Sequence, residues 1–352
     1  MWGTRLILLT VQRMPTDNIK IAVKGKWVSV PALNVGGKHI VVRGNWLRVA
    51  YVNNEQWLET EVEDPALCVK MLKAEGGDGL CADLFTFSQK LPATEPKYPY
   101  AFEWDSIAAA RANSFKDWWD GLPQETRKNV RRSEKRGVVV EVKKLDSALV
   151  QDLFELNNES SLRQGKAFTH YGKTLEQVAR DQVDYLDRSD YICTYFGKEL
   201  IGVLKLVYRG DVASILTFLP KTSHNDKRPA NALIAKAVEL CEEKKIPYLT
   251  YGMYNYGNKQ HTPLREFKIR NGFGEALVPR FYIPLTAKGA VSLRLRLHRG
   301  FLGILPHNVI TLLVRLRTEV NNFTLSRCSS TSERPNRIRQ MERSIPPAGS
   351  KL

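Results

Sequence analysis

The sequence predicts an α/β fold whose body is a mixed, mainly antiparallel sheet with flanking helices. Three runs of strand-forming residues, at 191–196, 200–209 and 212–219, are separated only by Gly197-Lys198-Glu199 and Gly210-Asp211. Connections this short make the strands antiparallel neighbours. A helical pattern at 229–245 then separates the last run from a further strand at 248–253, which predicts that those two strands are parallel.

The composition agrees with a folded, globular body. Hydrophobic residues make up 43% of the 352 residues and charged residues 26%, a balance that excludes wholesale disorder, collagen and coiled coil. The length allows one large domain or two to three smaller ones. We expect a small β-rich unit at 1–100, the main α/β domain at 101–285 and a basic tail at 286–352.

The first hundred residues alternate short strands with turn signals. Strands are expected at 19–23, 27–30 and 40–52, with Gly25-Lys26 and Gly36-Gly37 between them as hairpin turns. A helix at 63–73 and a strand at 80–88 follow. Residues 91–100 contain three prolines and are expected to be a connection.

A helix-rich block precedes the three antiparallel strands at 191–219, which we call the meander. The segment 114–122 ends at Pro123, which opens a helix running to about residue 136, and Gly137 ends that helix. A short strand at 138–142 and an amphipathic helix at 147–163 follow. The next helix, at 174–186, carries Thr174 and Gln177 in the spacing of a capping box. After the strand at 248–253, a short helix at 262–271 and a strand at 281–285 complete the body.

The net charge of +16 and the pI near 9.6 are unevenly distributed along the chain. Residues 286–352 carry 12 Lys and Arg against 3 Asp and Glu, so that more than half of the excess lies in the last fifth of the sequence. A second cluster, residues 127–144, has 8 basic and 2 acidic residues. Such excesses indicate anionic partners and say little about fold.

The five cysteines are scattered, without Cys-x-x-Cys pairs or zinc-finger spacing, as is typical of a reducing compartment. The apolar run at 6–9 is too short for a signal peptide, and the run at 301–316 is too interrupted to span a bilayer. We therefore expect a cytoplasmic location and no metal. Met14, followed by Pro15, is an alternative start to Met1.

Three motifs in this order carry a family resemblance. Residues 127–138 form a basic helix followed by a glycine and a strand, Gly202 lies inside the second meander strand, and Phe267-Lys268 precedes Gly272-Phe273. Over about residues 100–285 the chain resembles the GNAT superfamily of N-acyltransferases, and within it the Fem-type and BioF-like branch. The resemblance implies transfer of an acyl or aminoacyl group to an amine, with acyl-CoA or aminoacyl-tRNA as co-substrate and no tightly bound cofactor. It also implies an amine acceptor such as a cell-envelope or polysaccharide precursor.

The loop before the long helix is the expected site for the donor's phosphates. A helix N-terminus presents free N–H groups and a partial positive charge, so that nearby cations are unfavourable unless an anion accompanies them. Members of the superfamily that this chain resembles hold the pyrophosphate of acyl-CoA at this point. The glycines of their loop are absent from this sequence. The alternative is a solvated basic loop. The predicted donor-binding residues are Lys221, Asn225, Lys227, Arg228, Ala230 and Asn231.

Residues after the parallel strand are expected near the reacting groups, because ligands of α/β sheets collect at the carboxyl ends of strands. The resemblance suggests Tyr254 or Tyr256 as the acid that protonates the leaving group. A tyrosine packed at a loop edge is the alternative. Lys259 and Lys268 are candidate phosphate or acceptor contacts, with an ordinary surface lysine as the alternative for Lys268.

The polar connection at 163–172 is a candidate wall of the cleft. Arg163 and Gln164 are expected to bind substrate, and His170, with an ordinary pKa near 6.5, is a candidate base for the amine. Glu159 and Glu155 are rival bases, and a hydrogen-bonded loop histidine is the alternative for His170. Acyl transfer to an amine depends largely on positioning and one base, so no invariant triad is expected.

Two function classes therefore stand side by side. The first is a cytoplasmic N-acyltransferase with a phosphate-bearing donor. The second is a protein without enzymatic activity that binds nucleic acid or an anionic membrane surface through the basic helix and the tail. In the tail, residues 291–299 alternate apolar and basic positions, and residues 308–320 have apolar positions at helical spacing with Arg315 and Arg317 beside them. No known nucleic-acid motif is present, which favours the first class.

Overall fold

The computed structural model describes residues 16–23, 26–57, 61–74, 80–163, 166–255 and 262–300. The predicted tail beyond residue 300 and both alternative start methionines lie outside these residues. One compact unit extends to Arg294, and Leu295 begins a second unit. No helix among the described residues combines the length and the apolar character needed to cross a bilayer.

Strands and helices alternate along the described chain. The strands are β1 (Thr16–Val23), β2 (Lys26–Val35), β3 (Lys38–Arg43), β4 (Val49–Val52), β5 (Leu84–Ser88), β6 (Ala101–Arg111), β7 (Val138–Lys143), β8 (Leu162–Arg163), β9 (Lys166–Ala167), β10 (Ser189–Phe196), β11 (Glu199–Arg209), β12 (Val212–Pro220), β13 (Tyr248–Met253) and β14 (Gly274–Pro284). The α-helices are α1 (Pro65–Ala74), α2 (Phe115–Gly121), α3 (Gln124–Lys135), α4 (Ser147–Asn157), α5 (Leu175–Asp181), α6 (Pro229–Glu243), α7 (Pro263–Arg270) and α8 (Ala287–Arg294). Short 3-10 helices lie at Glu55–Trp57, Leu186–Arg188, Thr222–Lys227 and Leu297–Arg299.

Twelve of these strands form one mixed sheet, in the order β1-β2-β3-β4-β5-β14-β6-β13-β12-β11-β10-β7. Adjacent strands are antiparallel except for β4 with β5 and β12 with β13. The predicted fold class, a mixed and mainly antiparallel sheet with flanking helices and a β-rich N-terminal segment, is confirmed.

The meander and the parallel pair are both present as predicted. Strands β10, β11 and β12 are antiparallel neighbours, and α6 separates β12 from its parallel partner β13. The two parallel strands pair only from Val212 with Tyr248 to Ser214 with Thr250. Beyond that point they diverge, and we call this opening the splay.

The first hundred residues repeat this arrangement, which the sequence did not predict. Strands β2, β3 and β4 form a meander, α1 follows, and β5 is parallel to β4. The strand that follows each parallel pair joins the other repeat. Strand β6, which follows β5 in sequence, pairs with β13, and β14, which follows β13, pairs with β5. The antiparallel pair of β6 and β14 therefore forms the centre of the sheet and joins the two repeats.

Several predicted boundaries differ from the structure. The expected strand at 40–52 is two strands, the helix expected at 147–163 ends at Asn157, and β6 occupies residues for which no element was predicted. The sheet runs through both the predicted 1–100 unit and the predicted 101–285 domain. The division at residue 100 remains a prediction about domains.

The helices cover the two faces of the sheet unequally. Apolar side chains of α6 pack on Ala108, Ala110, Ala213 and Leu249, and α1 packs on Phe85 and Phe281. The strand registers place these residues on one face, which we call the crossover face. Helices α4 and α5 pack on the opposite face, over β10 and β11.

Gly202 allows α6 to approach the sheet. A Cβ atom at this position in β11 would lie 2.6 Å from Thr194 Oγ1, 3.2 Å from Leu233 Cδ1 and 3.4 Å from Pro229 Cβ. Because Pro229 begins α6, the absence of a side chain at Gly202 sets how closely the helix N-terminus can approach the splay.

Replacing Gly202 by valine should lower the free energy of unfolding by about 1–3 kcal/mol, the usual cost of overpacking. Chemical denaturation measures the change. Gly121→Ala is the matched control, since a Cβ there has no neighbour within 4 Å, and it should change stability by less than about 0.5 kcal/mol. Equal effects of the two substitutions would contradict the close approach.

Candidate active site

The predicted donor loop is fastened to the end of α4 by one carboxylate. Glu159 accepts hydrogen bonds from the backbone N–H groups of Thr222 and Ser223, at 3.0 and 2.9 Å, and from Ser223 Oγ at 2.9 Å. Arg163 donates to the same carboxylate at 3.0 Å and to the carbonyl of Pro220 at 2.9 Å. The structure thus brings Glu159 and Arg163 together with the loop, as a structural clamp.

Glu159 is stabilised in its charged form. Burial opposes ionisation, but the hydrogen bonds from Ser223 and Thr222 and the charge of Arg163 outweigh it and lower the pKa of Glu159. A carboxylate with four donors and a lowered pKa is a weak proton acceptor at neutral pH. The geometry therefore favours a positioning role for Glu159 over the predicted role as a base.

The cations of the donor loop are partly engaged by carboxylates of the chain. Lys221 pairs with Glu199, and Lys227 lies 3.5 Å from Asp226 and 4.3 Å from the ring centroid of Phe196. Arg136, at the end of α3, donates to the carbonyl of Asp226. The end of the basic helix α3 and the loop therefore adjoin, and Arg228 adds an exposed side chain to the cations of this surface.

The N-terminus of α6 remains open beside this surface. Arg228 is its N-cap residue, with a φ of 59° and no hydrogen bond from its side chain to the helix. The N–H of Ala230 has no acceptor among the described residues. Asn231 donates to Asn271 Oδ1 at 3.0 Å, which ties this end of α6 to the residue after α7. Asn225 lies exposed in the same loop.

Lys268 and Tyr254 lie at the carboxyl end of β13, both buried. Lys268 is fully buried, donates to the carbonyl of Met253 at 2.7 Å and has its Nζ 4.6 Å from the centroid of the Tyr251 ring. Burial lowers its pKa to about 8. The alternative of an ordinary surface lysine is therefore wrong. Tyr254 belongs to the core on the crossover face, with the guanidinium of Arg265 over its ring.

The remaining predicted residues are separate from this edge or outside the described residues. His170 lies 3.2 Å from Lys173 and 3.8 Å from Asp181, and burial together with the charge of Lys173 lowers its pKa. The ring of His170 contacts the ring of Phe168, which packs under Arg163. These contacts connect His170 to the structural clamp. Gln164, Tyr256 and Lys259 lie outside the described residues.

A cleft that the sequence did not predict lies beside the splay, on the face opposite α6. It encloses about 670 Å³ including its open mouth. Ser214 and Thr250, the last parallel pair, line it together with Gly252 and Met253 of the diverging strand. We call it the central cleft, because its floor is formed by the central strands β6 and β14.

A partly buried ion cluster forms one wall of the central cleft. Arg280 of β14 donates to Asp105 of β6 at 2.7 Å and to Glu55, after β4, at 3.1 Å. The backbone N–H of Ser88 donates to the other oxygen of Glu55. Burial opposes the charge of Arg280, but the two carboxylates outweigh it and raise the pKa of Arg280. For Glu55, burial is the larger effect and raises its pKa.

Two further cations line the cleft where it meets a second cavity of about 760 Å³. Lys90 and Arg209 are each only 8% exposed and line both cavities. Arg209 donates to the backbone carbonyls of Glu55 and Gln56. Burial, reinforced by the charge of Arg209, lowers the pKa of Lys90 to about 7.

Sequence reasoning missed every charged group of the central cleft. Glu55 begins an unpredicted 3-10 helix, Lys90 follows a strand at the edge of the proline-rich connection, and Asp105 belongs to the unpredicted strand β6. A usable signal was present only in β14, where Arg280 stands between apolar residues of a central strand. A charge at such a position requires a buried partner.

Comparisons with known proteins leave the family open. Neither a protein-family model nor a curated protein matches the sequence. Solved structures that resemble the fold include the C-terminal domain of a candidate lysylphosphatidylglycerol synthetase from Agrobacterium fabrum, at 14% identity and a TM-score of 0.48 over 73% of this chain and 84% of that one. L-PGS from Bacillus licheniformis has 14% identity and a TM-score of 0.46 over 73% and 84%. FemX has 10% identity and a TM-score of 0.44 over 80% and 90%. At these values the neighbours define neither a family nor an activity for this chain.

No group of three or more His, Cys, Asp or Glu side chains in the described part of the chain has the arrangement of a metal site.

Replacing Glu159 by glutamine should destabilise the protein by about 1–3 kcal/mol at pH 7, because four donors lose a charged acceptor. The pKa of Glu159 is lowered on folding, so its stabilisation is present above the ordinary value of 4.5 and is lost as pH falls through the folded pKa. The two proteins should therefore converge in acid. Glu155→Gln, an exposed site one helical turn earlier, should differ little from wild type at any pH. Denaturation at several pH values tests both points, and a pH-independent difference would refute the assignment.

Replacing Arg280 by methionine should cost about 1–3 kcal/mol, because it leaves two partly buried carboxylates without their cation. The added substitutions Glu55→Gln and Asp105→Asn should restore part of that stability. Arg43→Met, which removes an exposed guanidinium over Tyr51, should cost less than about 1 kcal/mol. Denaturant unfolding compares the four proteins, and a loss no larger than that of Arg43→Met would contradict the role of the cluster.

Proposed function

We propose that the protein is an N-acyltransferase that moves an acyl or aminoacyl group from a phosphate-bearing donor to an amine. The observation that carries the proposal is the splay between β12 and β13, which lies between an open, cation-flanked helix N-terminus and the central cleft with its charged side chains. A donor at the α6 end and an amine in the central cleft would meet at the divergence of the two strands. Each substrate would approach from its own side of the sheet.

Acyl transfer to an amine depends mainly on how the two substrates are positioned. The amine nitrogen forms a bond to the acyl carbon, and the bond from that carbon to the donor's oxygen or sulfur breaks. Of the two protons that the ammonium group loses, one goes to the leaving group and one to solvent. The unpaired edges of β12 and β13 beyond Ser214 and Thr250 supply N–H groups that could stabilise the oxygen of the tetrahedral intermediate.

The buried Lys268 fits a role close to the transfer. Its Nζ lies at the carboxyl end of β13, bonded to the Met253 carbonyl, and Met253 itself lines the central cleft. A cation fixed at this position would favour negative charge that develops at the splay. Lys268 was a predicted substrate contact, and its placement supports that prediction.

The donor is better described as a polyanion than as a compact cofactor. Helix α3 carries exposed Lys128, Arg131 and Lys135, and its end contacts the donor loop through Arg136. In addition, the N–H groups of Thr222 and Ser223 are already bonded to Glu159. A surface of this extent suits an RNA backbone, which favours aminoacyl-tRNA over acyl-CoA.

The full-length protein should transfer label from charged tRNA to amines and form products that survive mild alkali, because amides resist the treatment that hydrolyses aminoacyl esters. The double substitution Lys128→Gln/Lys135→Gln should weaken tRNA binding and reduce the slope of log affinity against log salt by roughly one to two. Lys70→Gln/Lys73→Gln on α1 removes the same charge from exposed positions of the other repeat and should leave the slope unchanged.

The possible outcomes separate the donors. Alkali-stable product from acyl-CoA alone would overturn the choice of donor and keep the transferase. Binding of tRNA without any transfer to amines would instead favour a nucleic-acid-binding protein without enzymatic activity.

A further inference from the structure

We infer that two exposed aromatic side chains, Phe102 and Trp104, stack the unpaired 3′-terminal bases of an RNA donor. They lie on β6, on the crossover face, between the parts of the sheet that α1 and α6 cover. We call this pair the aromatic platform. That the ligand is the donor rests on the proposed function, whereas binding of a base follows from the platform and from the polar groups beside it.

The aromatic platform is held in place and largely uncovered. Trp104 is 49% exposed and Phe102 is 40% exposed, although β6 is a central strand of the sheet. Their rings meet edge to face with centroids 5.2 Å apart, and Phe102 also contacts the buried ring of Phe281 at 6.1 Å. Leu277 of the neighbouring strand β14 extends the exposed apolar surface. An indole supported in this way offers a face on which a planar ligand can stack.

Hydrogen-bond acceptors without donors lie beside the aromatic platform. Ser106, two residues from Trp104 on the same face, donates to Oε1 of the exposed Glu275, and so does Asn255 Nδ2 at 2.9 Å. The other carboxylate oxygen of Glu275 receives no hydrogen bond from the described residues. The side-chain oxygen of Asn255 is buried and has no partner in the same part of the chain. Because an acceptor left in this state is costly, these groups favour a ligand that carries an N–H donor.

A planar ring with an amino group suits both features. Adenine and cytosine carry exocyclic amino groups, and unpaired bases of RNA stack on aromatic side chains while polar groups bind their edges. The apolar surface of a protein partner would cover the acceptors of Glu275 and Asn255 without supplying a donor. The arrangement therefore favours a nucleobase over a protein contact.

The aromatic platform lies on the donor's side of the sheet. Strands β6, β13, β12 and β11 are consecutive, so at least three strand spacings, about 15 Å, separate Trp104 from Gly202, which lies beneath Pro229 at the start of α6. Both ends of this path lie beyond the last parallel pair, where β12 and β13 diverge. A few unpaired nucleotides can bridge such a distance. A terminal base on Trp104 would hold the ribose that carries the acyl group beside the splay.

Arg265 of α7 lies between the two ends of this path. The residue after α7, Asn271, accepts a hydrogen bond from Asn231 at the start of α6, while the guanidinium of Arg265 stands 4.8 Å from the centroid of the Tyr254 ring. The backbone N–H of Tyr254 donates to the carbonyl of Ser106. Nε of Arg265 is buried and has no hydrogen-bond partner within the described ranges. Arg265 can therefore contact a phosphate between the donor loop and the aromatic platform.

Fluorescence anisotropy of end-labelled tRNA with the full-length protein tests the inference. Trp104→Ala should weaken the binding of intact tRNA about tenfold, because one stacked base is lost. A tRNA without its unpaired 3′ end should bind equally to wild type and to Trp104→Ala. The slope of log affinity against log salt should not change in Trp104→Ala, since stacking releases no counterions, whereas the slope falls in Lys128→Gln/Lys135→Gln.

Three further variants serve as controls. Trp27→Ala removes an indole of similar exposure, 46%, near the far edge of the sheet and should bind intact tRNA like wild type. Trp104→Phe should keep most of the affinity, because it retains an aromatic face. Glu275→Met should reduce the preference for a 3′-terminal adenosine over a uridine. Loss of folding would also abolish binding of the shortened tRNA, so it cannot imitate the expected result.

Two results would overturn the inference. The first is a Trp104→Ala effect that is absent, or equal for intact and shortened tRNA. The second is self-association of the wild-type protein in sedimentation that Trp104→Ala abolishes, since the aromatic platform would then bind a second copy of the chain.

Failure of this inference and failure of the proposed function give different results. Transfer from charged tRNA that is indifferent to Trp104 would keep the transferase and remove the aromatic platform as a binding site. Binding of the unpaired 3′ end that depends on Trp104, without transfer to any amine, would do the opposite.

Discussion

The guanidinium of Arg280, paired with two carboxylates, is the group on which the centre of the molecule depends. It lies on β14, which follows the second repeat in sequence but pairs with β5 of the first. Its two carboxylate partners come from β6 and from the turn after β4, so that one side chain joins both repeats and the strands exchanged between them. Removing three charges in part from water is costly, and the ion pairs of the complete cluster offset that cost.

The same cluster determines the shape of the central cleft. Because Glu55 is held by Arg280 and by the Ser88 N–H, its backbone carbonyl is fixed where Arg209 of the second repeat can donate to it. The walls of the cleft are thus formed by groups that are distant in sequence and that hold one another in place through these hydrogen bonds. A polar site assembled in this way can orient a ligand without a dedicated loop.

The elements that were predicted correctly are those whose signal is local. Strands β10 to β12 are joined by short turns that contain Gly197 and Gly210, both with positive φ, and connections of this length join antiparallel neighbours. Strand β6 escaped prediction because Ala108, Ala109 and Ala110 have little preference for a strand. Their small size matters only in the sheet, where Ala108 and Ala110 contribute to the core that α6 covers.

In the candidate site, too, the residues with a local sequence signal could be predicted and those that depend on distant contacts could not. The donor loop could be located from its cations and from the helix that follows, but the partner of its N–H groups, Glu159, comes from the segment just after α4, about sixty residues earlier. Lys268 was assigned as a ligand contact or a surface residue, whereas the structure buries it against Tyr251. Nothing in a sequence specifies which cation of a polar segment will be enclosed, since that depends on the packing of distant strands.

The two repeats have the same chain path, but the N-termini of their crossover helices, α1 and α6, differ in charge and capping. The N-terminus of α1 is closed by Asp64, whose carboxylate accepts the N–H of Leu67 at 2.8 Å and adds a negative charge there. The N-terminus of α6 has an arginine at the corresponding place and no side-chain cap. An anionic donor would be repelled by the first helix and attracted by the second. A fold with two similar halves therefore favours an anion at the N-terminus of α6 and disfavours one at the N-terminus of α1.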